Sequence, residues 1–347
     1  GEGLTSPELC VLMAYAKLAV KADLATSGLA DEPWFHRTLS DYFPQAIRDG
    51  YDGYLADHPL RREIIVNSVA NSLVNRGGIT FVFRATEETG ADTETIAREF
   101  VVAREVFDLR GFVAAVEALD NVVPTEVQTR MYLRFRRLLD RTVRWWLQRR
   151  SGDVDVAAEI EHFSPAVGRI RAQLPELLHG RDAERLRRDT AALVEAGVPD
   201  ELALWCAGSL DLFAVLDIVE IADETGQDEV SVARMYYAVS EQFGIEDTLT
   251  RVARLPRMSR WDALARGAMR DDLYSAVESL ARSVLSATDP EASVHERLTA
   301  WREANAPALH RANVALEGVR EMETPGLAPL SVALRTLRGV ARAGGAS

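Results

Sequence analysis

Asp271 and Asp272 are adjacent carboxylates on a stretch with helical periodicity. Such a pair can hold magnesium against a diphosphate, but the cluster needs a third carboxylate one helical turn on. Ser275 occupies that position and Glu278 is the next acid, so the pair reads as a solvated helix face. The histidines His36, His58, His162, His179, His295 and His310 include no His or Cys partner at metal-ligand spacing. No Ser, His and Asp fall in a pattern that would pair a nucleophile with its base. Gly1-Glu2-Gly3-Leu4-Thr5-Ser6 has the glycines of a phosphate loop. A loop of that kind is aimed by a preceding strand in a βαβ unit, and none is predicted, so the segment reads as a helix-capping turn. Lys17 and Lys21 read as surface residues rather than catalytic bases. The motifs expected of an active site are missing.

A different pattern stands out between Leu60 and Gly90. Asn67, Asn71 and Asn75 recur every four residues beside Ile64, Ile65 and Val69, and Arg76-Gly77-Gly78 follows. Residues four apart stack on one side of a helix, so the amides form one stripe ending at a glycine break. Amides and an arginine at a helix end suit polar docking, and Asn67, Asn71, Asn75 and Arg76 are the candidate contact face. The plainer alternative is that the amides bond helix ends within their own domain.

The elements that would position this face are helices. Ser6-Pro7-Glu8 has the residues of a helix start, and the helix is predicted to stop at Gly28. Further helices are predicted from Pro124-Thr125 to about Arg150, from Ser164-Pro165, from Asp228 or Ser231 to Phe243, and from Ser259 to about Thr288. No run of alternating apolar residues with hairpin punctuation occurs, so the expected fold class is all-α. An internal repeat adds organisation. At an offset of 136, residues 88–119 match residues 224–255 without a gap, with ten identities in 32 positions. Glu88-Thr89-Gly90 falls on Glu224-Thr225-Gly226, Asp92 on Asp228, and Phe107 on Phe243. A repeat of this length points to two related helical units. Ser151-Gly152-Asp153 lies between the copies, giving expected domains of residues 1–150 and 151–347.

Composition narrows the partners. The 347 residues carry a net charge of −13 and no basic stripe, which argues against nucleic acid. Arg134, Arg136, Arg137, Arg141 and Arg144, and Arg185, Arg187 and Arg188, read as solvated faces or ion-pair partners. The apolar run from Leu9 to Ala16 is too short to span a membrane, and no signal peptide is visible, so the expectation is no membrane and a cytoplasmic location. Cys10 and Cys206 sit in apolar runs and are expected to be buried free thiols. Of Trp145-Trp146 one is expected in the core and the other at a domain or subunit contact, with Tyr236-Tyr237 similar.

Longer runs carry a resemblance. Gly3-Leu4-Thr5-Ser6-Pro7-Glu8-Leu9-Cys10-Val11-Leu12-Met13-Ala14-Tyr15-Ala16-Lys17 resembles the start of the carboxy-terminal region of the large, NAD-specific bacterial glutamate dehydrogenases. So do Asp41-Tyr42-Phe43-Pro44, Leu60-Arg61-Arg62-Glu63-Ile64-Ile65, and Val74-Asn75-Arg76-Gly77-Gly78 with Phe81-Val82-Phe83-Arg84. Glu87-Glu88-Thr89-Gly90, Ala103-Arg104-Glu105-Val106-Phe107, and Ala118-Leu119-Asp120-Asn121 with Val123-Pro124 continue it. The match is dense over the first 150 residues and looser after them.

The resemblance implies a parent enzyme that oxidises L-glutamate to 2-oxoglutarate and ammonium, with hydride passing to NAD. The glutamate-site lysines, catalytic aspartate and dinucleotide loop of that family match nothing in this sequence. No catalytic, cofactor-binding or metal-binding residue is therefore assigned, and NAD is expected in the parent enzyme but not in this region. Two roles follow. One is a non-catalytic module that braces the catalytic core of its own chain and the contacts of a homo-oligomer. The other is an allosteric amino-acid pocket between the helical repeats, where Arg61, Arg62 and Arg76 would meet a carboxylate.

Overall fold

The computed structural model describes residues 3–150, 154–256 and 258–344. Among them are eighteen α-helices and no strand. The chain forms two compact units, Gly1–Pro165 and Ala166–Ser347. The expected boundary at Ser151-Gly152-Asp153 lies outside the described residues.

The first unit is built from α1 (Ser6–Ala25), α2 (His36–Ser40), α3 (Gln45–Leu55), α4 (Arg61–Ser72), α5 (Phe81–Thr89), α6 (Thr93–Val106), α7 (Leu109–Glu117), α8 (Thr125–Arg149) and the first part of α9 (Val156–Leu177). Its centre is α6, which packs on α1, α4, α5, α7 and α8. The run Phe100-Val101-Val102-Ala103 is wholly buried, as expected of a helix surrounded on every side. Beside it α8 buries Val127, Met131, Phe135, Leu138, Val143 and Trp146 at helical spacing. The Phe112 and Phe135 rings stack with centroids 4.4 Å apart.

Local chemistry explains the ends. Thr5 caps α1 with Glu8 reaching back to its N–H at 2.7 Å, so the helix starts one residue before the expected site. Ser259 caps its helix in the same reciprocal way with Asp262. One expected start is wrong: α9 runs unbroken through Ser164 and Pro165. Proline removes one backbone bond from a helix. Here Phe163 on one side of it and Ala166, Val167 and Ile170 on the other are all buried, which holds the helix through the defect.

The second unit contains α10 (Gly180–Glu195), α11 (Asp200–Gly208), α12 (Val215–Thr225), α13 (Glu229–Phe243), α14 (Ile245–Ala253), α15 (Arg260–Ala287), α16 (Val294–Ala304), α17 (Ala306–Glu321) and α18 (Leu327–Gly344). The long α15 is the scaffold, against which α12, α13, α14, α16 and α18 pack. Trp301 is buried with its indole N–H donating to Ser283 Oγ at 2.9 Å.

Turn geometry recurs at the offset of 136. Gly90 (φ 78°) and Gly226 (φ 66°) end α5 and α12 in the left-handed conformation. Thr89 donates to Ala85 O and Thr225 to Ile221 O, both at 2.7 Å. Asp92 and Asp228 then cap α6 and α13 by accepting from Thr95 N and Ser231 N. Asp108 (φ 49°) and Gly244 (φ 60°) break the chain before α7 and α14.

Several arginines close helix C-termini across space rather than facing solvent. Arg62 donates to Ser27 O at 2.8 Å beyond the end of α1. Arg251 donates to Val319 O, Arg320 O and Met322 O at the end of α17. Arg320 donates to Phe243 O at the end of α13, and Arg297 to Leu285 O in α15. The last carbonyls of a helix lack intrahelical partners, and a guanidinium satisfies several at once. No single described helix is long and apolar enough to cross a membrane; the bent pair Asp200–Gly208 and Asp211–Thr225 passes that test together and is core of the second unit.

Candidate functional site

The Asn-rich helix ends unusually. After Ser72 the chain takes one π-helical turn, Leu73–Gly77, and Gly78 follows at φ 104°. Gly77 is buried, and a Cβ there would meet the Phe81 ring at 2.8 Å. Both glycines are needed for this tight passage into α5. π turns are frequent where a helix must present side chains for function.

This turn presents Asn75 and Arg76 to an open hollow of about 570 Å3. Ser68 and Ser72 of α4 line it, with Thr38 and Asp41 from α2 and its end, Arg104 from α6, and Arg110 and Glu117 from α7. Asn67 and Asn71 are not among its lining residues, so the predicted stripe divides, half on the hollow and half beside it. Asn67, Asn71 and Asn75 make no side-chain hydrogen bond among the described residues.

An ion-pair network crosses the hollow. Arg76 meets Glu117 at 3.3 Å, with its guanidinium 5.8 Å from the centre of the Tyr132 ring. Asp41 pairs with Arg48 at 3.2 Å and with Arg110 at 2.7 Å. Glu105 pairs with Arg110 at 3.2 Å and Arg104 at 2.7 Å. Arg104 is buried, and that burial lowers its pKa from the usual arginine range while the Glu105 charge opposes the shift.

Arg61 and Arg62 are elsewhere. Both meet Asp31, and Arg62 also closes the end of α1. Arg62 and Arg76 lie 14 residues apart, about 20 Å along a helix at 1.5 Å per residue. They do not converge on one carboxylate.

Two buried polar clusters complete the inventory. In the first unit Glu99 is almost fully buried, and burial with the nearby Glu159 charge pushes its pKa up to about 8 against the pull of Arg150. Glu159 itself accepts from the Trp146 indole at 2.8 Å and from Arg150 at 3.1 Å. In the second unit Arg185 donates to buried Asp211 at 2.5 Å, Tyr237 donates to Asp211 O at 3.0 Å, and Tyr236 donates to Asp217 Oδ2 at 2.9 Å. Burial raises Asp182 to about 6 beside them. Only about 20 Å3 is left in this cluster, room for about one water.

Other expectations resolve plainly. Asp271 pairs with Arg270 at 3.3 Å and Asp272 with Arg338, as ion pairs between helices or along them. Arg144 pairs with Glu88. Cys206 is buried but Cys10 is exposed, because α1 is apolar on sides that nothing covers. Trp145 and Trp146 are both buried around Phe163, and Tyr236 and Tyr237 are both buried, so neither pair offers a ring to a partner. No group of three His, Cys, Asp or Glu able to hold a metal occurs among the described residues. The hollow's Thr38, Asp41, Arg104 and Arg110 were not found from sequence. The one available signal was Arg104-Glu105, a charge pair inside an otherwise apolar run.

Comparison with known proteins places the chain. The model of the family described as glutamate dehydrogenase, C-terminal, matches residues 1–339, so the resemblance continues far beyond the first 150 residues. The NAD-specific glutamate dehydrogenase of Pseudomonas aeruginosa is 35% identical over 342 residues, and that of Mycobacterium tuberculosis 36% over 345. Each match covers 99% of this chain and 21% of the relative. The relative from Halomonas elongata is 34% identical over 336 residues, 97% of this chain and again 21% of its own length. The chain thus spans about a fifth of the curated relatives it matches, and it belongs to the glutamate dehydrogenase C-terminal family.

Proposed function

We propose that this chain is the non-catalytic, helical C-terminal module of a large NAD-specific glutamate dehydrogenase. The parent enzyme converts L-glutamate, NAD and water to 2-oxoglutarate, ammonium and NADH. The module docks on the catalytic core of its own subunit, braces it, and contributes to contacts in a homo-oligomer. The Asn67, Asn71, Asn75 and Arg76 amides and guanidinium supply polar contacts at its surface.

One observation carries this reading. On α1, Val11, Tyr15 and Leu18 are 55%, 65% and 60% exposed, with Leu12 beside them. Spacings of four and three put them in one stripe. Val20 and Leu24 anchor the other end of the same helix in the core. A contiguous apolar stripe of this kind marks an interaction surface. Covering each such side chain contributes about 1.5–3 kcal/mol. The match covers only 21% of each relative, and that extra length supports a partner within the same chain. The all-helical fold supports a non-catalytic role, because a dinucleotide site of the usual kind is built at the ends of parallel strands.

The test is Val11→Asp with Leu18→Asp in the full-length enzyme. The expected result is at least a tenfold loss of glutamate-dependent NADH formation or of subunit assembly, while the same pair leaves the circular dichroism of this chain unchanged. Full activity and unchanged assembly would refute the docking role of α1.

A further inference from the structure

The hollow of the first unit has the chemistry of an anion site. Asp41 and Glu105 are two carboxylates that between them serve three guanidiniums, those of Arg48, Arg104 and Arg110. That network is one charge positive in a chain whose net charge is −13. The remaining pair, Arg76 with Glu117, is half exposed, and such pairs are worth little and exchange readily.

Among the described lining residues one buried polar atom, Thr38 Oγ1, has no hydrogen-bond partner. Thr38 is 2% exposed. A buried hydroxyl left unpaired is destabilising. Arg104 is 4% exposed; its Nε donates to Glu105 at 2.7 Å, its Nη2 lies 2.7 Å from the same carboxylate, and its Nη1 has only a long 3.4 Å bond to Ser72 Oγ. The volume, about 570 Å3, falls within the range of small-molecule sites.

The second unit shows the same position filled. At the offset of 136, Arg104, Leu109 and Arg110 fall on Ser240, Ile245 and Glu246, which line the 20 Å3 cavity together with Asp211. There the protein supplies both partners, since Arg185 donates to the Asp211 carboxylate and Tyr237 closes over it. In the first unit Val101 stands in place of Tyr237, and the guanidiniums face an open space. We propose that this hollow binds a small dicarboxylate, one carboxylate on Arg104 at its base and the other on Arg76 and Arg110 at the rim. Separate guanidiniums at depth and rim suit two planar carboxylates. A phosphate would want several converging backbone N–H groups. The nearest helix start, that of α7, is already capped by Asp108, which accepts from Gly111 N at 3.0 Å.

The test is calorimetric titration of the 347-residue chain with succinate, inorganic phosphate and chloride at constant ionic strength. Succinate is expected to bind saturably and chloride is not. Arg104→Gln and Arg76→Gln should each weaken succinate by about tenfold or more, the loss of a charged hydrogen bond. Glu117→Gln should tighten it several-fold, because it frees Arg76 from a competing carboxylate; a merely structural pair would not respond in that direction. If Arg104→Gln unfolds the chain, the opposite responses of Arg76→Gln and Glu117→Gln decide the matter. No saturable succinate binding, or binding indifferent to these substitutions, overturns the site. Phosphate binding as tight as succinate overturns the dicarboxylate assignment.

Discussion

Replacing Glu99 by Gln should stabilise the protein at alkaline pH and leave it nearly unchanged in mild acid. Glu99 is 1% exposed, and its Oε2 has no hydrogen-bond partner. Burial, then the charge of Glu159, raises its pKa from the ordinary 4.5 to about 8, with Arg150 opposing. The folded state therefore holds a proton that the unfolded chain has released between those values. Stability falls with pH wherever the folded state binds more protons, so the contribution is fully present below pH 4.5 and is lost as pH rises to about 8. Each pH unit is worth about 1.36 kcal/mol. From pH 5.5 to pH 8.5, the wild-type chain should lose about 3 kcal/mol through this group alone. Glutamine keeps the shape without the titration. The assay is urea unfolding followed by circular dichroism at pH 5.5, 7 and 8.5 for both proteins. Asp182, raised to about 6, titrates in both and cancels in the difference. A difference that stays constant across pH, or a variant less stable at pH 8.5, would refute the reasoning.

Other substitutions test the packing account. Phe163→Ala removes a buried ring whose centroid lies 5.8 and 5.4 Å from Trp145 and Trp146; it should cost about 3–5 kcal/mol and change tryptophan emission. Arg185→Gln takes the guanidinium from buried Asp211 and should cost about 3 kcal/mol in thermal unfolding. Gly78→Ala, at φ 104°, should cost about 1–3 kcal/mol, whereas Gly168→Ala in α9, with open space around it, should be stabilising by up to about 1 kcal/mol. A thiol reagent should modify Cys10 rapidly and Cys206 only on unfolding, read as one fast equivalent of two.

Helix starts were legible where the signal is local. Ser259 and Asp228 cap helices with their own neighbours, and Pro124 opens α8, so nearby residues suffice. Pro165 misled because burial of Phe163, Ala166 and Ile170 outweighs one missing backbone bond, and burial is not local. Cys10 misled for the opposite reason. An apolar run says that a helix has apolar faces, not that something in the same unit covers them. Adjacent aromatics such as Trp145 and Trp146 point about 100° apart on a helix. Both are buried because α8 is enclosed there by α9 as well as by α6. The hollow was illegible because its residues span Thr38 to Glu117 and meet only through the packing of α2, α4, α6 and α7. Of its lining, the sequence marks only Asn75 and Arg76, through the four-residue spacing of the asparagine stripe that ends there.

The most direct test of the module account is hydroxyl-radical footprinting of Tyr15 and Leu18 in this chain and in the proposed full-length enzyme. Both residues are exposed here, so both should be modified quickly in the isolated chain. Docking of α1 on the rest of the subunit predicts several-fold slower modification in the full-length enzyme, with Tyr54, also exposed, as the internal comparison. Equal rates for Tyr15 and Leu18 in the two proteins would mean that nothing covers the stripe, and would contradict the account.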